Sequence, residues 1–129
     1  MLNYHVEGKG EAVVLIHGVG GDLGNWDAIA AQLASARKVI RVDLRGHGKS
    51  QVIRSPLTAE DLARDVVEVM DEAGVEAGAV AGFSLGGQVA LALALGWPAR
   101  VRRLALISTV CGRTPTERAR RITRSDWKN

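Results

Sequence analysis

Gly82-Phe83-Ser84-Leu85-Gly86 sets a serine between two glycines, each two residues away, with the apolar run Ala77-Gly78-Ala79-Val80-Ala81 before it and a helix-like run opening Gly87-Gln88-Val89-Ala90 after it. In a tight strand-to-helix turn, side chains at 82 and 86 would collide with neighbouring backbone. That accounts for both glycines and lifts the Ser84 hydroxyl clear of the sheet. A hydroxyl presented in this way is a candidate nucleophile. Unassisted, it is an ordinary alcohol and a weak nucleophile at neutral pH, so the chemistry also requires a base. The competing reading is a glycine-rich turn with an incidental serine, and the surrounding sequence has to decide.

Two more segments carry chemistry-bearing residues at the ends of apolar runs. Ala12-Val13-Val14-Leu15-Ile16 reads as a buried strand and leads into His17-Gly18-Val19-Gly20-Gly21, while Lys38-Val39-Ile40-Arg41-Val42 leads into Asp43-Leu44-Arg45-Gly46-His47-Gly48-Lys49-Ser50. Two nucleotide-binding readings compete for these residues. Gly48-Lys49-Ser50 ends like a phosphate-binding loop, but the first glycine of that pattern would fall on Asp43. Gly18, Gly20 and Gly24 follow a strand as in a dinucleotide-binding unit, but the fingerprint wants glycine where Leu23 stands. A short-chain reductase would need a tyrosine and a lysine near its site, and the sole tyrosine is Tyr4.

Together the three segments resemble the α/β-hydrolase fold superfamily, and within it the esterase, enol-lactone hydrolase and cofactor-free haloperoxidase group. The resemblance implies a serine hydrolase of carboxylic esters or lactones, with Ser84 as nucleophile and a small apolar ester or lactone as substrate. It implies oxyanion donors at the backbone N–H groups of Val19 and Leu85, where one such donor is worth about 3 kcal/mol or more to an acyl-transfer transition state. His17 and Gly18 become parts of the loop that presents Val19, with His17 bracing backbone and not acting as base. Asp43 and Arg45 hold their own loop together, and Gly82 and Gly86 support the turn around Ser84. No cofactor and no metal are implied.

The elements that must position these residues are legible. Strands alternating with helices imply a mostly parallel sheet covered on both faces, a three-layer α/β sandwich. Thr58 as N-cap, Asp61 three residues on, a staple from Leu57 to Leu62, an apolar face of Leu62, Val66, Val69 and Ala73, and a stop at Gly74 predict one helix. The helix after Ser84 is apolar all round and is expected to be central, ending at Gly96-Trp97-Pro98. Leu104-Ala105-Leu106-Ile107 fits a strand buried on both sides. By the resemblance, an N-terminal hairpin lies near residues 2–10, residues 1–110 are the N-terminal part of the hydrolase core, and the basic tail 111–129 opens a lid helix.

The resemblance also implies that the family's last two strands, with their catalytic acid and histidine, fall outside these 129 residues. His5, His17 and His47 all precede Ser84, and Ser108-Thr109-Val110 stands where some relatives carry the acid. The alternative function is a non-catalytic binding module, or one half of a split hydrolase. A chain ending its sheet at Leu104–Ser108 is expected to self-associate, or to take a complementing C-terminal chain, through the exposed strand edge.

Composition excludes other classes. At 47% hydrophobic and 24% charged, the chain reads as a soluble globular protein without repeats or low-complexity tracts. The apolar run Val89–Leu95 is far below the ~20 residues of a membrane span. No signal-like pattern opens the sequence, so the expected location is cytoplasmic. Cys111 is the lone cysteine and reads as a small buried or edge residue. Net charge is +3, but residues 1–99 carry 8 basic and 12 acidic side chains and residues 100–129 carry 9 and 2. The arginines of the tail suggest a solvated helix over nucleic-acid binding, because aromatic residues are not interleaved among them.

Overall fold

Among the residues that the computed structural model describes, 1–53 and 55–109, five strands and three α-helices follow one another along the chain. The strands are β1 (Tyr4–Glu7), β2 (Ala12–Ile16), β3 (Lys38–Val42), β4 (Gly78–Phe83) and β5 (Val101–Ile107). The helices are α1 (Asp27–Leu33), α2 (Ala59–Glu72) and α3 (Leu85–Gly96). One sheet forms in the order β1-β3-β2-β4-β5, parallel throughout except for the antiparallel β1–β3 pair. The expected mixed α/β architecture is present. The basic tail 111–129 and Cys111 lie outside the described residues.

Alternation along the central strands divides the core into two layers. Val13 and Leu15 of β2 and Val39 of β3 pack with Trp26 and Ala30 beneath α1. Val14, Ile16, Ile40 and Val42 pack on the opposite face with Leu62, Val66, Val69 and Met70 of α2 and with Val89 and Leu93 of α3. Every residue of β2 is buried, which is why it reads as an unbroken apolar run and not as an alternating one. In α2, Thr58 and Asp61 form a reciprocal capping box, a device worth about 1 kcal/mol, and Gly74 beyond the helix end adopts φ 72°.

Three expectations need correction. The N-terminal hairpin does not form: β1 pairs with β3, Tyr4 opposite Val42 and Glu7 opposite Val39. Gly8 and Gly10, at φ 79° and 119°, lie against the carbonyls of Ala34 and Ala36 and carry the chain past the start of β3, so β2 emerges on its far side. The second correction concerns β5, which is mostly exposed, with Leu104 37% and Ile107 43% accessible. It is the last strand among the described residues and α3 packs against one side of it. Finally, α3 is apolar all round but not covered all round: Leu85 to Ala90 and Leu93 are buried, whereas Leu95 is 69% exposed.

The strand order also locates a crevice. The chain leaving β2 passes through α1 to β3 on one side, and the chain leaving β4 passes through α3 to β5 on the other. Because β2 and β4 are neighbours, their exits diverge above the carboxyl ends of the strands, where open α/β sheets take their ligands. Ser84 and the His17–Gly21 loop are at those two exits.

Candidate active site

Ser84 joins β4 to α3 with φ 56° and ψ −113°, a conformation that costs roughly 1–3 kcal/mol for a residue with a side chain. The surroundings hold it there. Its N–H donates to the Ile107 carbonyl at 2.9 Å, extending the β4–β5 ladder by one residue, and its own carbonyl accepts from the Gly87 N–H at 3.0 Å. A Cβ on Gly82 would strike the backbone of Gly86 and Gly87, and one on Gly86 would strike the carbonyls of Ile16 and His17. Both glycines of the motif are thus required by close approach. Leu85 is the first residue of α3, so its N–H has no carbonyl within the helix to bond.

The loop after β2 lies against this turn. A Cβ on Gly18 would sit 3.2 Å from the Phe83 carbonyl and 3.3 Å from Ser84 Cβ. His17, 1% exposed, uses both ring nitrogens: the Leu44 N–H donates to Nε2 at 3.0 Å, which leaves the ring proton on Nδ1 to donate to the Gly18 carbonyl at 2.7 Å. Burial holds its pKa below the ordinary 6.5, outweighing the opposing pull of the Gly18 hydrogen bond. A second proton on Nε2 would face the Leu44 N–H. His17 therefore bridges two loops as a neutral ring.

Asp43 centres the third loop. Its carboxylate accepts from Asn3 Nδ2 and the Leu23 N–H, both at 2.8 Å, and from the Lys49 N–H at 3.0 Å. Burial pushes its pKa up, but the hydrogen bonds from Lys49, Leu23 and Asn3 prevail and hold it below the usual value. Ser50 Oγ donates to the Asp43 carbonyl at 2.6 Å and accepts from the Asn3 N–H at 2.9 Å. Arg45 reaches outward to α2 in a two-point pair with Asp65, Nε to Oδ2 at 3.0 Å and Nη2 to Oδ1 at 2.7 Å, which raises the guanidinium pKa further. Asn3, Ser50 and Asp65 are partners that the sequence reading did not name. Only the short spacing from Asp43 to Ser50 hinted at any of them.

Between the His17–Gly21 loop, the start of α1 and the ends of β4 and β5 lies a cleft of about 480 Å³ whose apolar walls include Val19, Trp26, Ile29, Phe83 and Ile107. Three side chains on it, Ile29, Phe83 and Ile107, are 43–47% exposed, so the cleft offers an apolar bed next to a polar rim of loop backbone. Among the described residues, no group of three or more His, Cys, Asp or Glu side chains converges as metal ligands would.

The model of the α/β-hydrolase fold family matches residues 11–126. This chain belongs to that family. A dihydrolipoyllysine-residue acetyltransferase component of the acetoin cleaving system from Cupriavidus necator is 46% identical over 103 residues, which is 80% of this chain and 28% of that one. A hydrolase from Pseudomonas aeruginosa superposes with a TM-score of 0.83 at 36% identity, over 90% of this chain and 44% of that one. The enol-lactonase of Burkholderia xenovorans superposes with a TM-score of 0.80 at 35% identity, over 84% and 43%. The chain thus spans less than half the length of these relatives.

Within this hydrolase-fold chain, the three histidines are not gathered at Ser84. His5 is on β1, three strand steps or roughly 14 Å across the sheet from β4, and lies 3.3 Å from Arg41 Nη2. His47 packs its ring 5.0 Å from that of His17 and points Nδ1 at the Arg45 carbonyl at 3.2 Å. Among the described residues no hydrogen bond joins a histidine to the Ser84 hydroxyl. No described helix is long and apolar enough to cross a membrane.

Proposed function

We propose that Ser84 is the nucleophile of a serine hydrolase acting on small apolar carboxylic esters or lactones. The observation that carries the reading is the strained Ser84 backbone at the strand-to-helix junction, with Gly18 of the His17–Gly21 loop packed against it. Ser84 Oγ bonds to the acyl carbon while its proton passes to a base. The carbonyl electrons move onto oxygen, where the Val19 and Leu85 N–H groups receive the charge. The acyl C–O bond then breaks, the departing oxygen takes the proton, and water repeats the sequence on the acyl-enzyme to release the acid. Val19, Phe83 and Ile107 supply an apolar seat for the acyl group, in keeping with the enol-lactonase name of one structural relative. The setting is a cytoplasmic enzyme without cofactor.

The base and its acid partner come, in this reading, from a segment or second chain that packs on the outer edge of β5. The engagement of the histidines elsewhere, with none among the described residues hydrogen-bonded to the Ser84 hydroxyl, supports this, and it also favours the second reading, a non-catalytic binding module that keeps the cleft. Supplying the C-terminal half of the Burkholderia enol-lactonase in trans separates the two. The hydrolase reading expects a stable heterodimer and labelling of Ser84 by a fluorophosphonate, abolished in Ser84→Ala. A well-formed heterodimer whose Ser84 resists the probe overturns it in favour of the binding module. Without the complement, Ser84→Ala should lower activated-ester hydrolysis by less than about a hundredfold, because general-base assistance is typically worth 10² to 10⁴.

A further inference from the structure

Among the described residues, the two with side chains and positive φ are Ser84 at 56° and Ser108 at 52°. They directly follow a pair in register, Phe83 at the end of β4 and Ile107 at the end of β5. The Ser84 strain belongs to the site already described. Ser108 has no such assignment, yet its left-handed turn redirects the chain after β5 so that Thr109 comes down on the first turn of α3. There the Thr109 hydroxyl lies 3.0 Å from the Ser84 carbonyl and 3.2 Å from the Ile107 carbonyl, the acceptor already used by the Ser84 N–H.

Gly87 records the same fit from the other side. It directly follows the G-x-S-x-G motif, and the motif does not require it. A Cβ at 87 would collide with Thr109 Oγ1, and would come within 2.7 Å of Thr109 Cβ and 2.9 Å of Cγ2. Gly87 is small because Thr109 occupies the space.

We infer that Thr109 is a positioning residue which, by donating to the Ser84 carbonyl, fixes the Ser84–Leu85 peptide plane and so aims the Leu85 N–H. The carbonyl of Ser84 and the N–H of Leu85 belong to one planar trans peptide and point in opposite directions. Holding the carbonyl towards Thr109 and Gly87 turns the N–H away from them, to the other side of the peptide. The inference rests on the reading of Leu85 as an oxyanion donor for Ser84, and it adds the group that orients the donor.

The test uses the 129-residue chain, alone and with the complement described above. Thr109→Val keeps the shape and removes the hydroxyl, while Thr109→Ser keeps the hydroxyl. The amide resonances and hydrogen exchange of Leu85 and Gly87 should change in Thr109→Val and return in Thr109→Ser. Fluorophosphonate labelling of Ser84 should slow about tenfold in the first and recover to within about twofold in the second, in line with the worth of one neutral hydrogen bond. Should Thr109→Val fail to fold, Gly87→Ala displaces Thr109 without altering its hydroxyl and should change the Leu85 amide resonance and exchange in the same way. Unchanged Leu85 resonances in folded Thr109→Val, or in Gly87→Ala, overturn the inference whatever the labelling shows. Amide changes that follow the hydroxyl, in a chain whose Ser84 never takes the probe, leave the positioning intact and overturn Ser84 as nucleophile.

Discussion

The two flanks of Ser84 are built differently. On the β3 side, loop polar groups are paired: buried Asp43 binds three donors, buried His17 bridges the Gly18 carbonyl and the Leu44 N–H, and half-buried Arg45 locks onto Asp65. On the β5 side, Phe83, Leu104 and Ile107 present apolar surface that is 37–46% exposed. The first flank holds a loop in place by directional bonds at fixed distances. The second bonds to the Ser84 backbone through Ile107 and Thr109 but otherwise offers exposed apolar area, which suits docking of another segment. The candidate nucleophile has its backbone geometry fixed, while among the described residues no histidine bonds to its hydroxyl, and this contrast can be attacked from either side.

The largest effect is expected on the bonded flank. Asp43→Ala leaves the Leu23 and Lys49 N–H groups and the Asn3 amide without their shared acceptor, and should destabilise the chain by about 3 kcal/mol or more in urea unfolding. A loss under about 1 kcal/mol would mean that the network does not hold this flank together.

A smaller effect is expected from pH. The folded His17 and Asp43 both have lowered pKa values, so the unfolded chain takes up these protons at higher pH than the folded one. The His17 contribution is complete above pH 6.5 and fades as the pH falls below it, and the Asp43 contribution fades below 3.8. Stability measured downward from pH 7 should therefore begin to fall near 6.5, and His17→Gln should flatten that first decline. An equal slope in the variant would move the dependence to other groups.

The smallest change in stability should come from the apolar flank. Leu104→Lys with Ile107→Lys removes little burial and should shift unfolding by no more than about 0.5 kcal/mol for each site. It should nevertheless reduce self-association and hydrophobic-dye binding of the wild-type chain. A wild type that sediments as a monomer and binds no dye would show that the β5 flank is not adhesive, and the contrast would lose its second half.

Local rules made the following parts legible in the sequence. The alternation of strand and helix, the capping box at Thr58, the helix stop at Gly74 and the glycines around Ser84 all depend on residues within a few positions of one another. Steric and hydrogen-bonding preferences at that range act before any tertiary contact exists. The apolar run of β5 was misleading for the same reason: composition reports that a strand is apolar, not whether another element covers it.

Tertiary structure alone decided which distant groups meet. Whether β1 pairs with β2 or β3 depended on the path taken by Gly8 and Gly10 over the 34–37 turn. Asp43 found Asn3 40 residues away and Leu23 20 away, Arg45 found Asp65 across 20, and Thr109 found Ser84 across 25. Such partners leave no period or spacing in the sequence, because a hydrogen bond needs its groups within about 3 Å and only the strand order brings them there. The sequence determined by itself that a strained, glycine-framed serine would stand at the end of a strand, and the fold decided what holds it.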